Sequence, residues 1–287
     1  MSIKINMRMQ NEDRLNILFL MKVFEVGGQE VVTATLADTF IKKGHQVVIA
    51  SFKQPNDMMV KRTNPSVRFY TIGDFKYSKE NVDVVRSILQ ENHINVVINQ
   101  WGLPYVPCKV LNEAKEGMSI KTIAIYHNSP DTNARIKDVE IALSETHNPL
   151  KKAMLYAKMF VFKQITSRSM KYVYQHTDLY MVLSPSFVKK FKEFTGITHP
   201  DHLQVLTNPV TIDSSSYDYS LSKKQKEIIY MGRIDFNQKR VYRVVDTWAK
   251  LEPVFPDWKL TIVGDGTARK DIEKQVKEYG LQRVSFE

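Results

Sequence analysis

"LNILFLMK", residues 15–22, is a continuous apolar run closed by a lysine. A strand that is apolar at successive positions must be covered on both faces, the situation of a strand inside a parallel sheet with helices above and below. "VFEVGGQE" (23–30) breaks the run, and "EVVTATLADTFIKKG" (30–44) reads as an amphipathic helix closed by Gly44. This strand, glycine turn and helix form the first of a series.

Moving outward, "HQVVIASF" (45–52) and "VRFYTI" (67–72) read as the second and third strands. "SKENVDVVRSILQENH" (78–93) reads as a helix capped by Ser78. "INVVINQ" is the fourth strand, "PYVPCKVLNEAKEG" a short helix ending at Gly117, and "IKTIAIYHN" (120–128) the fifth strand. Repeated strand–helix units predict a doubly wound parallel sheet. Residues 148–176 carry few helix breakers and predict one long helix. "DLYMVLS" returns to strand, "PSFVKKFKEFTG" opens on Pro and closes on Gly196 as helices prefer, and "LQVLTNPV" is a short strand with a turn. The Ser-rich, charged stretch that follows has a linker's composition. We read residues 1–210 as one domain, 211–226 as the linker and 227–287 as the first part of a second domain. In the second, "IIYMG", "WKLTIVG" and "RVSFE" are strands separated by two helices. Three strands and two helices cannot cover a parallel sheet on both faces, so the second domain is expected to be incomplete.

Composition narrows the partners. The formal net charge is +10, from 41 Lys+Arg against 31 Asp+Glu among 287 residues. That balance favours nucleic acid, phosphorylated small molecules or an anionic membrane surface. No RNP-like aromatics, zinc spacing or basic stripe accompany it, which argues against nucleic acid. The longest apolar stretch near the start is too short to span a bilayer and lacks the form of a signal peptide, so a cytoplasmic location is expected. Lys151, Lys152, Lys158, Lys163, Arg168 and Lys171 scatter around the wheel of the long helix. Any peripheral contact with the inner face of a membrane would come through net charge rather than through an amphipathic wedge. The lone Cys108 belongs to no metal-ligand spacing and reads as a half-buried thiol.

Candidate chemistry lies at strand ends, where open α/β sheets bind ligands. Gly232 and Arg233 follow the first strand of the second domain, and Lys239 comes six residues after the arginine. The arginine's planar fork, the lysine's point charge and a helix amino end suit a diphosphate and its growing charge as it departs. From spacing alone, a solvated basic turn fits equally. Gly27 and Gly28 permit close backbone approach, yet "EVGGQE" lacks the dinucleotide fingerprint and is also a plain tight turn. His127 ends the fifth strand, placed either for a sugar hydroxyl, for acid–base work, or as a structural imidazole. Asp131, four residues on, is a candidate to orient it or a solvated loop acid, the second being the more common case. Asn208, Asp265 and Glu30 are further candidate ligand contacts, Asn208 and Asp265 doubling as turn formers.

Taken in order, "GGQE", "YHN", "DLYMVLSPSFVKKF", "LTNPV", "GRIDFNQKR" and "WKLTIVGDG" resemble the retaining family 4 glycosyltransferases, the group that includes bacterial polysaccharide and lipopolysaccharide sugar transferases. The resemblance covers nearly the whole chain. It implies the GT-B fold, two Rossmann-like domains with the active site in the cleft between them. It implies transfer of a sugar from a UDP- or GDP-sugar to an acceptor hydroxyl with retained configuration, a hexosyltransferase-type reaction on a glycan or lipid-linked acceptor. By position, Arg233, Lys239 and Gly232 would hold the donor diphosphate. Gly27 and Gly28 would lie near the phosphates and the acceptor side, and His127 would contact the donor sugar as a catalytic residue. No cofactor is implied, and no metal need be bound. The family's acidic pair should lie beyond Glu287, so these 287 residues are expected to be inactive alone. Lys239 is followed by Arg240 where many relatives have Gly. An epimerase of the same fold and a non-catalytic binding fragment are the alternatives.

Overall fold

The computed structural model describes residues 14–211, 220–236 and 239–287. The chain divides into two compact units, Met1–Asp213 and Ser214–Glu287.

The first unit is a seven-stranded, wholly parallel sheet. Its strands are β1 (Asn16–Met21), β2 (Gln46–Ser51), β3 (Arg68–Thr71), β4 (Val96–Asn99), β5 (Lys121–Tyr126), β6 (Leu179–Val182) and β7 (Leu203–Val205), in spatial order β3-β2-β1-β4-β5-β6-β7. The order reverses at β1, which pairs with β2 on one side (Ile17 opposite Val47) and β4 on the other (Ile17 opposite Val96). The apolar run at the start of the chain is thereby explained. Leu18 and Leu20 pack into one core with Val48, Val85 and Val97, while Ile17, Phe19 and Met21 pack into the opposite one with Ile49, Ala37 and Ile98.

The connecting helices are α1 (Gly28–Lys42), α2 (Asp57–Arg62), α3 (Lys79–Glu91), α4 (Tyr105–Ala114), α5 (Ala134–Glu145), α6 (Pro149–Gln175) and α7 (Pro185–Thr195). Ser78 caps α3 by accepting from the Asn81 amide, and Asn148 caps α6. Gly196 closes α7 in the left-handed region at φ 72°. Two helices were not legible in the sequence: α2, capped by Asn56, and α5, capped by Asn133. Cys108 is fully buried rather than half-buried, in the core formed by α4, α6 and β5, and burial pushes its thiol up to about 12.

The second unit is a three-stranded parallel sheet, β8 (Glu227–Met231), β9 (Lys259–Val263) and β10 (Val284–Phe286), in order β10-β9-β8, with α8 (Tyr242–Leu251) and α9 (Arg269–Glu278). Trp248 and Val245 of α8 and Ile272 of α9 bury against Leu260 and Ile262. Of the linker read at 211–226, residues 212–219 lie outside the described residues, and Leu221–Lys223 forms one 3-10 turn.

Candidate active site

In the first unit, polar side chains gather where the sheet order reverses, at the carboxyl ends of β1, β4 and β5. Gly27 precedes α1 in extended conformation, and no N-cap side chain closes the helix, whose first-turn amides lie beyond the intrahelical ladder. A Cβ on Gly27 would strike the Glu30 carboxylate, whereas one on Gly28 would meet nothing. Glu30 itself is buried, and that burial raises its carboxyl above the usual range.

Gln29 donates its side-chain amide to the carbonyl of Gln100, bridging the start of α1 to the end of β4. The Gln100 side chain reaches on to β5, with Oε1 2.6 Å from His127 Nε2. An amide oxygen only accepts, so Nε2 carries the ring proton and donates it. Burial pushes His127 down to about 4, partly opposed by the Asn208 side chain, and the ring is neutral at pH 7. Two buried donors beside this chain of contacts, Asn99 Nδ2 and Gln100 Nε2, have no hydrogen-bond partner. Each lost bond is costly in a buried site, and donors left this way at a sheet's carboxyl edge suit a ligand's oxygens. Asp131, read as a candidate to orient His127, instead pairs with Lys190 at 3.2 Å and accepts from Ser129 at 2.5 Å. Orientation of the imidazole falls to Gln100, which sequence reasoning missed.

In the second unit, the loops after β8 and β9 are joined backbone to backbone. Gly232 N–H donates to Val263 O at 3.0 Å, Ile234 N–H to Asp265 O at 2.9 Å, and Ala268 N–H to Ile234 O at 3.2 Å. The fit needs glycine: Gly264 has φ 139° and Gly266 φ 158°, and a Cβ on either would drive into the carbonyl oxygen of Gly232 or Ile234. On this frame, Asp235 accepts from Arg233 Nε at 3.0 Å through one oxygen and from the Lys239 amide at 2.8 Å through the other. One carboxylate thus joins the Arg233 guanidinium to the backbone at Lys239. Asp235 was also missed; its signal was an acid two residues after the arginine. Its side chain is 15% exposed against 59% for Arg233, so the guanidinium reaches solvent while its anchor does not. Asp265 turns back to accept from the Gly266 amide at 2.7 Å. Arg240 sits at φ 51°, a left-handed position that explains why glycine suits it. Asn237 and Gln238 of this loop lie outside the described residues.

Among the described residues no group of three His, Cys, Asp or Glu side chains is gathered that could hold a metal ion. Nor, among the described residues, is any helix long and apolar enough to cross a membrane.

Residues 26–214 match the family model described as Glycosyltransferase Family 4. The chain belongs to that family. Residues 213–286 of this family 4 member match a second model, Glycosyl transferases group 1. The chain is 24% identical over 277 residues to a Campylobacter jejuni α-1,4-N-acetyl-D-galactosaminyltransferase named for a diNAcBac-PP-undecaprenol-linked substrate, covering 95% of this chain and 67% of that protein. It is 32% identical over 66 residues to the Erwinia amylovora amylovoran biosynthesis glycosyltransferase AmsD, 23% of this chain and 18% of that one. The chain thus spans about two thirds of the Campylobacter relative, and its match to AmsD is a short one. Among solved structures it is similar to Anabaena Alr3699/HepE in complex with UDP and glucose (TM-score 0.63, 15% identity, 95% of this chain and 69% of that one). It is also similar to WaaG, a glycosyltransferase involved in lipopolysaccharide biosynthesis (TM-score 0.58, 18% identity, 94% and 69%). At such identities these likenesses speak to the fold. The family 4 chain therefore has the GT-B type of architecture, with a smaller second unit.

Proposed function

We propose that this chain serves a retaining glycosyl transfer, moving a hexose-type sugar from a nucleotide donor to a hydroxyl of a lipid-linked glycan. The observation that carries the reading is the loop after β8. There one shielded carboxylate, Asp235, holds the Arg233 guanidinium and the backbone at Lys239, on a frame of glycines that admits no side chain. A fixed guanidinium, a mobile ammonium and the amino end of α8 fit a diphosphate whose charge grows as the glycosidic bond breaks. The guanidinium need not reorganise when that charge appears, because Asp235 already holds it.

In the first unit, the amides at Gly27 and Gly28 serve phosphate and acceptor oxygens. His127 serves the donor sugar. A ring held neutral to about pH 4, with its Nε2 proton committed to Gln100, is a hydrogen-bonding partner rather than a proton carrier. The lipid-linked substrate named for the Campylobacter relative and the UDP bound by the Anabaena protein support the choice of acceptor and donor. A role in surface-glycan synthesis at the cytoplasmic face of a bacterial membrane is consistent with both.

Calorimetric titration of this chain with UDP and with GDP tests the diphosphate site. Arg233→Ala and Lys239→Ala should each weaken binding about 10- to 100-fold, the worth of one charge-assisted contact. Equal affinity in wild type and both variants would overturn the assignment. Isomerisation of a labelled nucleotide sugar without acceptor would replace transfer with epimerisation.

A further inference from the structure

The amino edge of the first sheet, at the other end of the strands from the candidate site, carries a cavity of about 290 Å³ where β1, β2 and β3 begin. Arg14, His45, Arg68 and Asn92 line it, together with the apolar Ile41 and Val47. Among the described residues no Asp or Glu lines it, and neither arginine belongs to an ion pair. Arg68 is anchored by an amide instead: Nη1 donates to Asn92 Oδ1 at 3.1 Å. Asn92 is buried and is itself held, its Nδ2 donating to the Ile88 carbonyl at 2.9 Å and to the Tyr70 hydroxyl at 3.2 Å. A carboxylate in that place would cancel the guanidinium's charge, whereas an amide fixes its direction and leaves the charge whole. His45 is oriented as well. Its Nδ1 accepts from the Leu15 amide at 3.2 Å, so Nε2 carries the ring proton, and the ring packs edge-on against Phe40.

Helices α1 and α3 both end at this edge, and basic side chains there can serve the last helix carbonyls. Those carbonyls are already taken by the backbone: Gly44 N–H donates to Ile41 O, His45 N–H to Phe40 O and Ile94 N–H to Leu89 O. The cations are not consumed as caps. We propose that this cavity binds a phosphate dianion, free or as the monoester of a small molecule. Two guanidiniums match the charge of a phosphate monoester, which approaches two at neutral pH because its second ionisation lies near about pH 6. The planar forks and the Nε2 proton of His45 supply donors for its terminal oxygens. The volume stands at the lower end of small-molecule sites, roughly 300–1,000 Å³, which suits phosphate or a short ester. This site is separate from the one read for sugar transfer and does not rest on that reading.

The test is an NMR titration of the whole chain with sodium phosphate at fixed pH, following the Cε1 proton of His45, against sodium chloride at equal ionic strength. Wild type should show a saturable shift with phosphate and little with chloride. Arg14→Gln, at an exposed position, and Arg68→Gln should each weaken the affinity about tenfold, and the two together about a hundredfold, since each removes one charge-assisted contact. Arg68→Lys should recover part of the loss, because a point charge remains without the fork. Circular dichroism melting without phosphate checks that the variants are folded. Glycerol phosphate in place of phosphate identifies the source: tighter binding assigns the site to an ester, equal or weaker binding to free phosphate. A His45 resonance that follows chloride as closely as phosphate would overturn the proposal, as would wild-type affinity in the double variant.

Discussion

Lowering the pH should destabilise this protein through His127, by an amount the structure sets. The ring's ordinary value is 6.5, and burial brings it to about 4. As pH falls below 6.5 the unfolded chain takes up a proton that the folded chain refuses until about 4. The unfolded state therefore binds more protons in that window, and stability falls with pH across it. At about 1.4 kcal/mol per pH unit the full loss is about 3 kcal/mol, of which about 2 kcal/mol falls between pH 7 and pH 5. His127→Gln removes the titrating group while the carboxylates remain common to both proteins. Urea unfolding of wild type and variant at pH 7 and pH 5 should show the wild type losing about 2 kcal/mol more than the variant. The imidazole Cε1 proton, followed by NMR, should not shift until the pH nears 4. Gln100→Glu is the converse: a carboxylate in place of an amide 2.6 Å from Nε2 should draw the midpoint up by about 1–3 pH units. Equal pH dependence in wild type and His127→Gln, or a wild-type midpoint near 6.5, would refute both the burial and the neutral role given to the ring.

Gly264→Ala should cost about 2–6 kcal/mol, combining a glycine-only backbone conformation with a Cβ driven into Gly232, and will show as a lower urea midpoint. Arg240→Gly should be neutral or stabilising by up to about 1 kcal/mol, since relief at φ 51° outweighs the added freedom of the unfolded chain; thermal melting reads it. Tyr180→Phe should cost about 1–3 kcal/mol, because the fully buried Gly102 carbonyl loses the hydroxyl that donates to it at 2.5 Å; urea unfolding measures that loss. Cys108, buried and held near 12, should resist iodoacetamide at pH 8 in the folded protein and react at once in urea, as mass spectrometry will show.

The sheet was legible because its strands are apolar on both faces, as β1 shows with Leu18 in one core and Phe19 in the other. Helix α2 escaped because six residues make fewer than two turns, too few for a periodic pattern. Helix α5 escaped because it buries only Ile136 and Val139 fully. The cations of the candidate site could be found by their distance from a strand end and a glycine. Gln100 could not, since its importance comes from lying between Gln29 and His127, 71 residues before it and 27 after. Such a contact is a property of strand order and leaves no local trace.

The reversal of strand order at β1 also bears on synthesis. One edge of β1 is met by β2, whose first partner residue lies 30 positions on (Asn16 opposite Gln46). The other edge waits for β4, where Ile17 meets Val96. At about 5–20 residues per second, the ribosome makes the intervening 50 residues in roughly 3–10 s. For that interval the most apolar strand of the protein has an unpaired edge, a template for any other extended chain nearby. Nascent chains arrested after β2 has emerged should therefore be more prone to aggregation and to holdase capture than chains arrested after β4. The same edge that carries the candidate site is, until then, the chain's point of greatest exposure.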